Sequence, residues 1–546
     1  MKQVAYFFNL LFCFNLLFAT HDDHIGLPHD KDIPLFKDLQ AVHHPVSTRN
    51  AEAQRYFDQG FTFLYAFNHD AAYASFKKAA QLDPQLAMAY WGLAIALGSN
   101  INSPVTSNRQ EEAYRFVQKA LNGRAQASSN EQAYIDALTK RYSNQPDPNV
   151  DQLNRAYKDA MAEVVQRFPD DLDAATLYAE SLLDINPWNQ WTLDGKPNEG
   201  TLEAVAVLES VIKRDPQHLG ANHLYIHAVE ASKNPERALL SANRLSHLAP
   251  ISGHIQHMPS HIYMHVGDYQ KAIESNLRAV RNDFAYIQQF GPQGYPIHYL
   301  SHNLAMLARA YASSGQLNEA IRAGQTLNQF YLKNYPESKQ LEFYTATSLF
   351  TLIHFHQWQQ ILQFPQPAEE MTFSRVVWHF ARAVALASTG QIEQAKQEQA
   401  LYRQDWKLLP ADMSAGNNSA QDILAIADDY LNAQLASHQG NLSEAISFLK
   451  KAVQAEDVLK YDEPTNWPFP LRESLGGALL KANQFQEAEA VFRQDLDKHP
   501  GNGRTLYGLW LALQAQQREA DAYWIKQRLD RAWRLSDRPL TPDILW

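Results

Sequence analysis

Residues 53–84 read AQRYFDQGFTFLYAFNHDAAYASFKKAAQLDP, and this stretch decides the fold. Counted from its first residue, small residues stand at positions 8 and 20 (Gly60 and Ala72), an aromatic residue at position 24 (Phe76) and proline at position 32 (Pro84). Small residues let two antiparallel helices pack closely, an aromatic ring fills the seam between them, and proline ends the second helix. The stretch therefore predicts a helical hairpin that stacks against further copies of itself.

The same spacing recurs along the chain with a period of 34 residues. Pro216 and Pro250 are one period apart, and each follows small and apolar residues at positions 20 and 27. A helical hairpin repeated every 34 residues is the signature of the tetratricopeptide repeat, TPR. We therefore predict an all-α solenoid of TPR hairpins, a superhelix that divides into two halves. Further units begin near Ser301, Glu342, Val376, Ile426, Phe469 and Gly503.

The chain divides into four segments. Residues 1–20 combine one lysine with an apolar stretch that is short for a membrane span, which predicts a secretory signal peptide and a periplasmic or secreted protein. A His-rich leader over 21–50 precedes an N-terminal array over 51–335 and a C-terminal array over 336–546. A Trp-rich insertion over 186–200 either folds over the mouth of the concave groove or packs on its own base.

The composition narrows the classes of partner. The formal charge of −11 and the absence of a basic run argue against nucleic acid. No later segment is long and apolar enough to span a bilayer, so we expect no membrane span after signal removal. The single cysteine, Cys13, lies inside the signal, so the mature chain has no thiol for disulfides or metal binding.

The histidines are concentrated in two neighbouring repeats, since ten of the 21 lie between residues 218 and 302. In the unit that starts at Leu219, His223 and His227 occupy positions 5 and 9. Positions 2, 5, 9 and 12 of the first helix form one stripe, which lines the concave groove of a TPR solenoid. The next unit, which starts at Gly253, adds His254, His257 and His261 at positions 2, 5 and 9.

Further residues flank this stripe. His302 falls at position 2 of the following unit, with His298 four residues before it, and Glu230 falls at position 12 beside His227. The preceding helix is expected to place Glu180 at the level of His227. His218, His247 and His265 are interpreted as structural, as supporting residues or as a helix cap. The predicted metal ligands are thus His223, His227, His254, His257, His261, His298 and His302.

Imidazole nitrogens without thiols suit copper, zinc or iron, and seven candidate rings could serve two ions. Two alternatives to a metal site remain: TPR grooves use polar residues to hold a peptide, and the histidines could be purely structural. Glu180 and Glu230 are the candidate proton carriers if the site is catalytic. In the leader, His21, His24, His29, His43 and His44 form a weaker cluster, interpreted as solvated rather than as a copper site.

The run from Ala174 to Asn303 contains HLGANHLYIHAVEAS, GHIQHMPSHIYMHVGDY and HYLSHN. It resembles bacterial exported TPR proteins related to animal tetratricopeptide repeat protein thirty-eight. The C-terminal stretch DEPTNWPFPLRESLGGALLKANQFQEAEAVFRQDL resembles the last unit of the same group. The resemblance covers nearly the whole mature chain and implies the TPR fold. It implies that the histidines matter to the family, but it assigns no reaction.

Two classes of function follow. The first is an exported binding protein whose histidine-lined groove holds a transition metal, or a peptide, protein or small-molecule ligand. The second is a metal-dependent enzyme with hydrolase or oxidase chemistry, in which a bound ion activates water or oxygen. The sequence contains no serine-hydrolase triad motif, phosphate loop or dinucleotide fingerprint that would support catalysis without a metal.

Overall fold

A computed structural model describes residues 33–39 and 42–546. The proposed signal peptide and the leader residues His21, His24 and His29 lie outside the described residues. Within the described part the chain is helical, apart from one antiparallel pair of two-residue strands, β1 (Ser414–Ala415) and β2 (Asn418–Ser419). No helix in this part is long and apolar enough to cross a membrane. The predicted all-α class is therefore confirmed.

The helices of the first half run in antiparallel pairs along the chain, with short 3-10 turns at Arg124–Gln126 and Pro235–Ala238. Their bounds are α1 (Ala51–Tyr65), α2 (His69–Leu82), α3 (Ala87–Ala96), α4 (Ser107–Gly123), α5 (Ser129–Leu138), α6 (Val150–Arg167), α7 (Leu172–Leu183), α8 (Thr201–Arg214), α9 (Leu219–Val229), α10 (Leu239–Leu245), α11 (Gly253–His257), α12 (Pro259–His265), α13 (Tyr269–Phe290), α14 (Pro296–Ser313) and α15 (Leu317–Asn334).

The second half continues the same arrangement and ends in a 3-10 turn at Pro542–Ile544. Its helices are α16 (Lys339–Thr345), α17 (Thr347–His354), α18 (Trp358–Leu362), α19 (Thr372–Ser388), α20 (Ile392–Trp406), α21 (Ala420–His438), α22 (Leu442–Asp457), α23 (Leu471–Lys481), α24 (Phe485–Lys498), α25 (Gly503–Ala515) and α26 (Glu519–Ala532).

Glycine and phenylalanine hold the hairpins together as the sequence predicts. A Cβ added at Gly60 would lie 2.8 Å from the ring of Phe76, and one added at Gly92 would lie 2.4 Å from it. In the second half, a Cβ added at Gly476 would lie 2.4 Å from the ring of Phe492, and one added at Gly508 would lie 2.2 Å from it. One aromatic ring thus fills the space that two hydrogen atoms leave on the helices to either side, which is TPR-type packing.

Each half has a large hydrophobic core, and a smaller core that includes Leu300, Leu341 and Met371 crosses the boundary at residue 335, which stays a prediction. One hydrophobic core draws nearly all its side chains from between Ile33 and Ala323, and another draws its side chains from Ala346 to Trp546. Contacts between distant segments close the superhelix on itself. The Tyr295 N–H donates to Asp70 at 2.7 Å, across 225 residues of chain. This closure determines the environment of the histidines.

Candidate metal centre

The structure collects six of the seven predicted ligands into two groups. Within each group, one nitrogen from every ring lies within 4.8 Å of the other two, and these are the groups of this kind in the described residues. We call them the first and second triads. The first triad is His223, His227 and His254, and the second triad is His257, His261 and His302.

The two triads follow one rule of the repeat. Each consists of positions 5 and 9 of one unit together with position 2 of the next unit. In the first triad, His223 and His227 lie one turn apart on α9, and His254 begins the following unit on α11. In the second, His257 and His261 are completed by His302 on α14. The second triad is therefore the first one displaced by one repeat along the solenoid.

The unit that carries the second triad differs locally from the prediction. Its first helix is divided into α11 and α12, because Pro259 stands in its middle and has no N–H to donate to the helical ladder. The His261 N–H instead donates to the Met258 carbonyl at 3.2 Å, three residues back. His257 and His261 stay on one face across this junction, with ring centroids 4.7 Å apart.

The triads lie in the interior of the protein. His223 and His257 are 0% exposed, no ring of the first triad exceeds 2%, and His302 is partly buried. The sequence predicts that these histidines line the concave groove, and the structure shows that they are buried there. Desolvation of this degree strengthens every electrostatic interaction inside the site.

Residues from distant parts of the chain close the site, and sequence analysis missed two of them. The ring of Phe67, between α1 and α2, lies 4.5 Å from His223. Phe67 has a backbone φ of 53°, which is strained for a residue other than glycine and is held by the surrounding packing. Tyr461, from the second half, stacks on Trp188 at 6.3 Å. Trp188 lies 6.0 Å from His227, so the insertion covers the site.

Hydrogen bonds place the Nδ1 proton of two rings, one in each triad. Nδ1 of His223 donates to the Tyr65 carbonyl at 2.7 Å, and Nδ1 of His257 donates to Oδ1 of Asn276 at 2.7 Å. Asn276 uses its amino group to reach the Ala272 carbonyl at 2.9 Å, so its oxygen faces the ring. A carbonyl oxygen only accepts, so each of these rings carries its proton on Nδ1 and presents a bare Nε2.

The Glu230 carboxylate accepts a hydrogen bond from Nδ1 of one ring in each triad. Its Oε1 accepts from Nδ1 of His227 at 2.8 Å, and its Oε2 accepts from Nδ1 of His261 in a short hydrogen bond. The carboxylate is 2% exposed. Burial alone would raise the pKa of Glu230, but the facing His261 and His227 lower it well below its usual range. The ionised Glu230 carboxylate thus accepts a hydrogen bond from one ring of each triad and orients both triads.

The Nε2 atoms of each triad converge. Nε2 of His257 lies 2.7 Å from that of His261 and 2.9 Å from that of His302. In the first triad, Nε2 of His223 lies 3.1 Å from that of His254. Nε2 of His227 is buried without a hydrogen-bond partner among the described residues. Two facing lone pairs at these distances repel each other unless a proton or a metal ion lies between them.

Burial keeps most of these rings neutral. Desolvation, reinforced by neighbouring imidazoles, lowers the pKa of His223, His254 and His257 well below the ordinary value, and it lowers the pKa of His302 to about 3. Burial also acts on His261, but Glu230 outweighs it and raises the pKa of that ring. Neutral imidazole is the form that binds metal ions.

Two predicted site residues lie elsewhere. His298 is exposed and belongs to neither triad. Glu180 is buried, and burial together with Asp184 raises its pKa to about 8, against the opposing effect of Arg141. Arg141 forms an ion pair with Asp184 at 2.9 Å. The charged partners of Glu180 are thus in this cluster, and none of them is a triad histidine.

His265 ends α12 and joins the site to the second half of the chain. Its Nε2 lies 3.1 Å from the hydroxyl of Tyr461 and 3.1 Å from a carboxylate oxygen of Glu463. The Tyr461 hydroxyl donates to Glu463 at 2.9 Å and lies 3.4 Å from Oε2 of Glu230. The loop after α22 therefore reaches the carboxylate that orients both triads.

The prediction that the leader is solvated is wrong for His44. That ring is buried, and its Nδ1 lies 2.7 Å from Asp173, which also bonds His218 at 3.2 Å. His43 remains largely exposed beside Asp58. His218 caps α9 by accepting the Ala221 N–H at 3.1 Å, as expected of a structural histidine.

No protein-family model and no curated protein matches this sequence. Similar solved structures include the Cut9–Hcn1 assembly of the APC/C (15% identity, TM-score 0.31, covering 84% of this chain and 76% of that one). Human IFIT1, solved as a dimer with m7Gppp-AAAA, is 13% identical (TM-score 0.34, 83% and 90%). Yeast Tom70 is 12% identical (TM-score 0.29, 88% and 93%). At these scores no ligand or partner transfers to this chain.

The fold itself defines the class. Stacked helical hairpins with glycine–aromatic seams make the protein an all-α, TPR-type solenoid. Its distinguishing feature is a closed interior that holds two histidine triads.

Proposed function

We propose that this protein binds two transition-metal ions per chain, one on each triad. The observation that carries the proposal is the convergence of Nε2 atoms from three rings in each triad, as in the 2.7 Å approach of His257 to His261, whose Nδ1 atoms are both engaged by oxygen acceptors. A metal ion placed among three such nitrogens replaces lone-pair repulsion by three coordinate bonds.

The ligand set favours particular ions. All six ligands are imidazoles, which bind a metal ion in their neutral form. Both oxygens of Glu230 are already engaged by Nδ1 atoms. Imidazole suits copper, zinc and iron, whereas magnesium and calcium prefer oxygen ligands. Copper, zinc or iron is therefore the proposed cofactor. Burial of the triads argues against a peptide at the same positions, because an extended peptide needs an open groove.

Metal analysis of the purified full-length chain tests the proposal. We expect two equivalents of bound metal per chain after reconstitution, one in His223→Ala and one in His257→Ala. His298→Ala is the matched control, since that histidine is exposed and outside both triads, and it should keep two equivalents. Folded wild-type protein that holds no copper, zinc or iron at micromolar concentration would overturn the proposal.

A metal-dependent enzyme is the second candidate, and one observation favours it. Each triad supplies three ligands, which is the number in catalytic zinc sites that keep a position open for water or substrate. Ester hydrolysis and oxygen consumption by the loaded protein should then exceed those of the same concentration of free ion, and His257→Ala should abolish the excess. Equal rates for wild type and variant would contradict an enzymatic role.

We also propose export, on the apolar segment of residues 1–20. Mass spectrometry of the protein expressed with this segment in a bacterium should find a shortened N-terminus in the periplasmic or secreted fraction. Full-length protein confined to the cytoplasm would contradict it.

A further inference from the structure

The two triads are close neighbours across a narrow interior. His227 of the first triad lies 6.1 Å from His261 of the second, measured between ring centroids. His254 and His257 are also 6.1 Å apart, and their rings are nearly parallel, with an interplanar angle of 25°. Each triad thus contributes two rings to the boundary between them. Since a metal ion lies about 2 Å beyond its ligand nitrogen, ions bound by both triads would lie close to each other.

Glu230 fixes how the triads face each other. A single carboxylate holds Nδ1 of His227 and Nδ1 of His261, so it fixes these two rings relative to each other. In both rings Nε2 lies on the side away from the carboxylate, towards the interior. The two Nε2 atoms are therefore held in a defined mutual orientation by one residue.

Charge and coordination number require a further ligand. Three imidazoles leave each ion with an open position, and an imidazole that binds a metal contributes no charge. Two divalent ions contribute four positive charges, whereas Glu230, the carboxylate that contacts both triads, supplies one negative charge. In a buried site two neighbouring dications repel strongly. An anion between them fills both open positions and reduces the repulsion.

The walls limit the size of that anion. The ring of Phe67 stacks 5.5 Å from His254, Tyr299 lies 4.6 Å from the same ring, and Trp188 covers His227. These aromatic walls offer no charged group to a large ligand, and their closeness to the triad rings favours a ligand of a few atoms. Hydroxide forms in place when bound water loses one proton to solvent, because the ions lower the pKa of that water.

From these contacts we infer that the two triads form one dinuclear centre, in which a small oxygen- or nitrogen-donor anion, hydroxide in the resting state, bridges the two ions. This inference rests on the proposed function, because it needs both triads to bind metal. It adds that the ions act as a pair and that the ligand exchanged at the centre is a small anion rather than a peptide.

Copper(II) serves as a spin probe for the inference, whatever the native ion. The metal-free full-length chain is loaded with two equivalents of Cu²⁺, and copper measured by elemental analysis is compared with unpaired spin measured by electron paramagnetic resonance. Because two Cu²⁺ ions joined by a bridging anion couple their spins, we expect two coppers per chain and well under half of the corresponding spin. His257→Ala should hold one copper with full spin.

Azide tests the bridging position directly. It should add at one azide per two coppers in the wild type and produce a new absorption band. Two coppers per chain with the full spin of isolated ions, or two azides bound per chain, would overturn the dinuclear centre and leave the metal-binding proposal intact. Absence of bound copper would overturn both, so the two failures are distinguishable.

Discussion

Replacing Glu230 by glutamine tests the central feature of the site, because it changes charge and hydrogen bonding at nearly constant volume. The wild-type carboxylate accepts two Nδ1–H groups, from His227 and His261. A glutamine side chain has one oxygen to accept and one amino group that only donates. One of the two rings must therefore turn or move its proton to Nε2, where a proton prevents metal binding.

The expected loss of metal affinity follows from the contact of Glu230 with two of the ligand histidines. Loss of an orienting partner behind a metal-bound histidine weakens metal affinity about 10–100-fold, or about 1.4–2.8 kcal/mol. We expect this loss for one ion, with a smaller loss for the other through the removed charge. Competition titration with a chelator of known affinity resolves the two steps. The wild type should show two tight steps, and Glu230→Gln should show one tight and one weakened step.

Glu473→Gln is the matched control for this experiment. Glu473 is 1% exposed and holds His354 at 2.9 Å and Arg504 at 2.7 Å, in the second half of the chain. Its replacement disturbs a buried glutamate network of similar kind without touching either triad. If Glu230→Gln kept both metal affinities, or if Glu473→Gln weakened them equally, the orienting role of Glu230 would be refuted.

Three further predictions concern pH, the covering ring and the repeat seams. Burial lowers the pKa of His302 to about 3, so this ring stays neutral in the folded protein, whereas in the unfolded chain it binds a proton below about pH 6.5. Between these two pKa values, the ring lowers the free energy of unfolding by up to about 1.4 kcal/mol for each pH unit that the pH falls. The three other rings of lowered pKa act in the same direction, whereas His261 and buried carboxyls of raised pKa such as Glu180 act in the opposite one. Urea unfolding of the metal-free chain at pH 7.5 and 5 should therefore show a less favourable change on acidification in the wild type than in His302→Ala, and equal changes would contradict this. Phe67→Ala removes the ring that covers His223, so stopped-flow chelation should detect faster metal release than in the wild type, and an unchanged rate would show that the ring is no barrier. Gly92→Ala places a methyl group 2.4 Å from the Phe76 ring, so thermal or urea unfolding should show a loss of about 1–3 kcal/mol, and a neutral result would refute the packing argument.

The fold was predictable because each TPR unit carries its own packing rule. Gly60 and Phe76 are 16 residues apart, and the contact between them decides the hairpin without reference to the rest of the chain. The period then propagates the same contact to Gly476 and Phe492. Local contacts that recur at a fixed spacing are the kind of information that a single sequence retains.

The candidate site was only partly predictable, since part of it depends on closure of the superhelix. The stripe positions identified the six triad histidines and Glu230 because helix periodicity and repeat register suffice to align them. Phe67 and Tyr461 reach the site across roughly 160 and 230 residues of chain, and no periodicity relates them to it. His44 was assigned to a solvated leader for the same reason, because its partner Asp173 is 129 residues away.

Repeat arithmetic also explains why the solenoid holds two triads. The rule of positions 5, 9 and 2 applied one unit earlier selects Thr176, Glu180 and Gly220, none of which is an imidazole. Applied one unit later, it begins with Ala305 and Arg309. The stripe is therefore interrupted on both sides.

Glu180 takes the place equivalent to His227 in the earlier unit, but its charged partners are Asp184 and Arg141. Arg309 takes the place equivalent to His261 in the later unit, and its side chain is partly buried. A guanidinium cannot bind a cation, and it repels one. A pair of adjacent metal sites thus needs two consecutive units with histidines at positions 5 and 9, and each of these units must be followed by a unit with histidine at position 2.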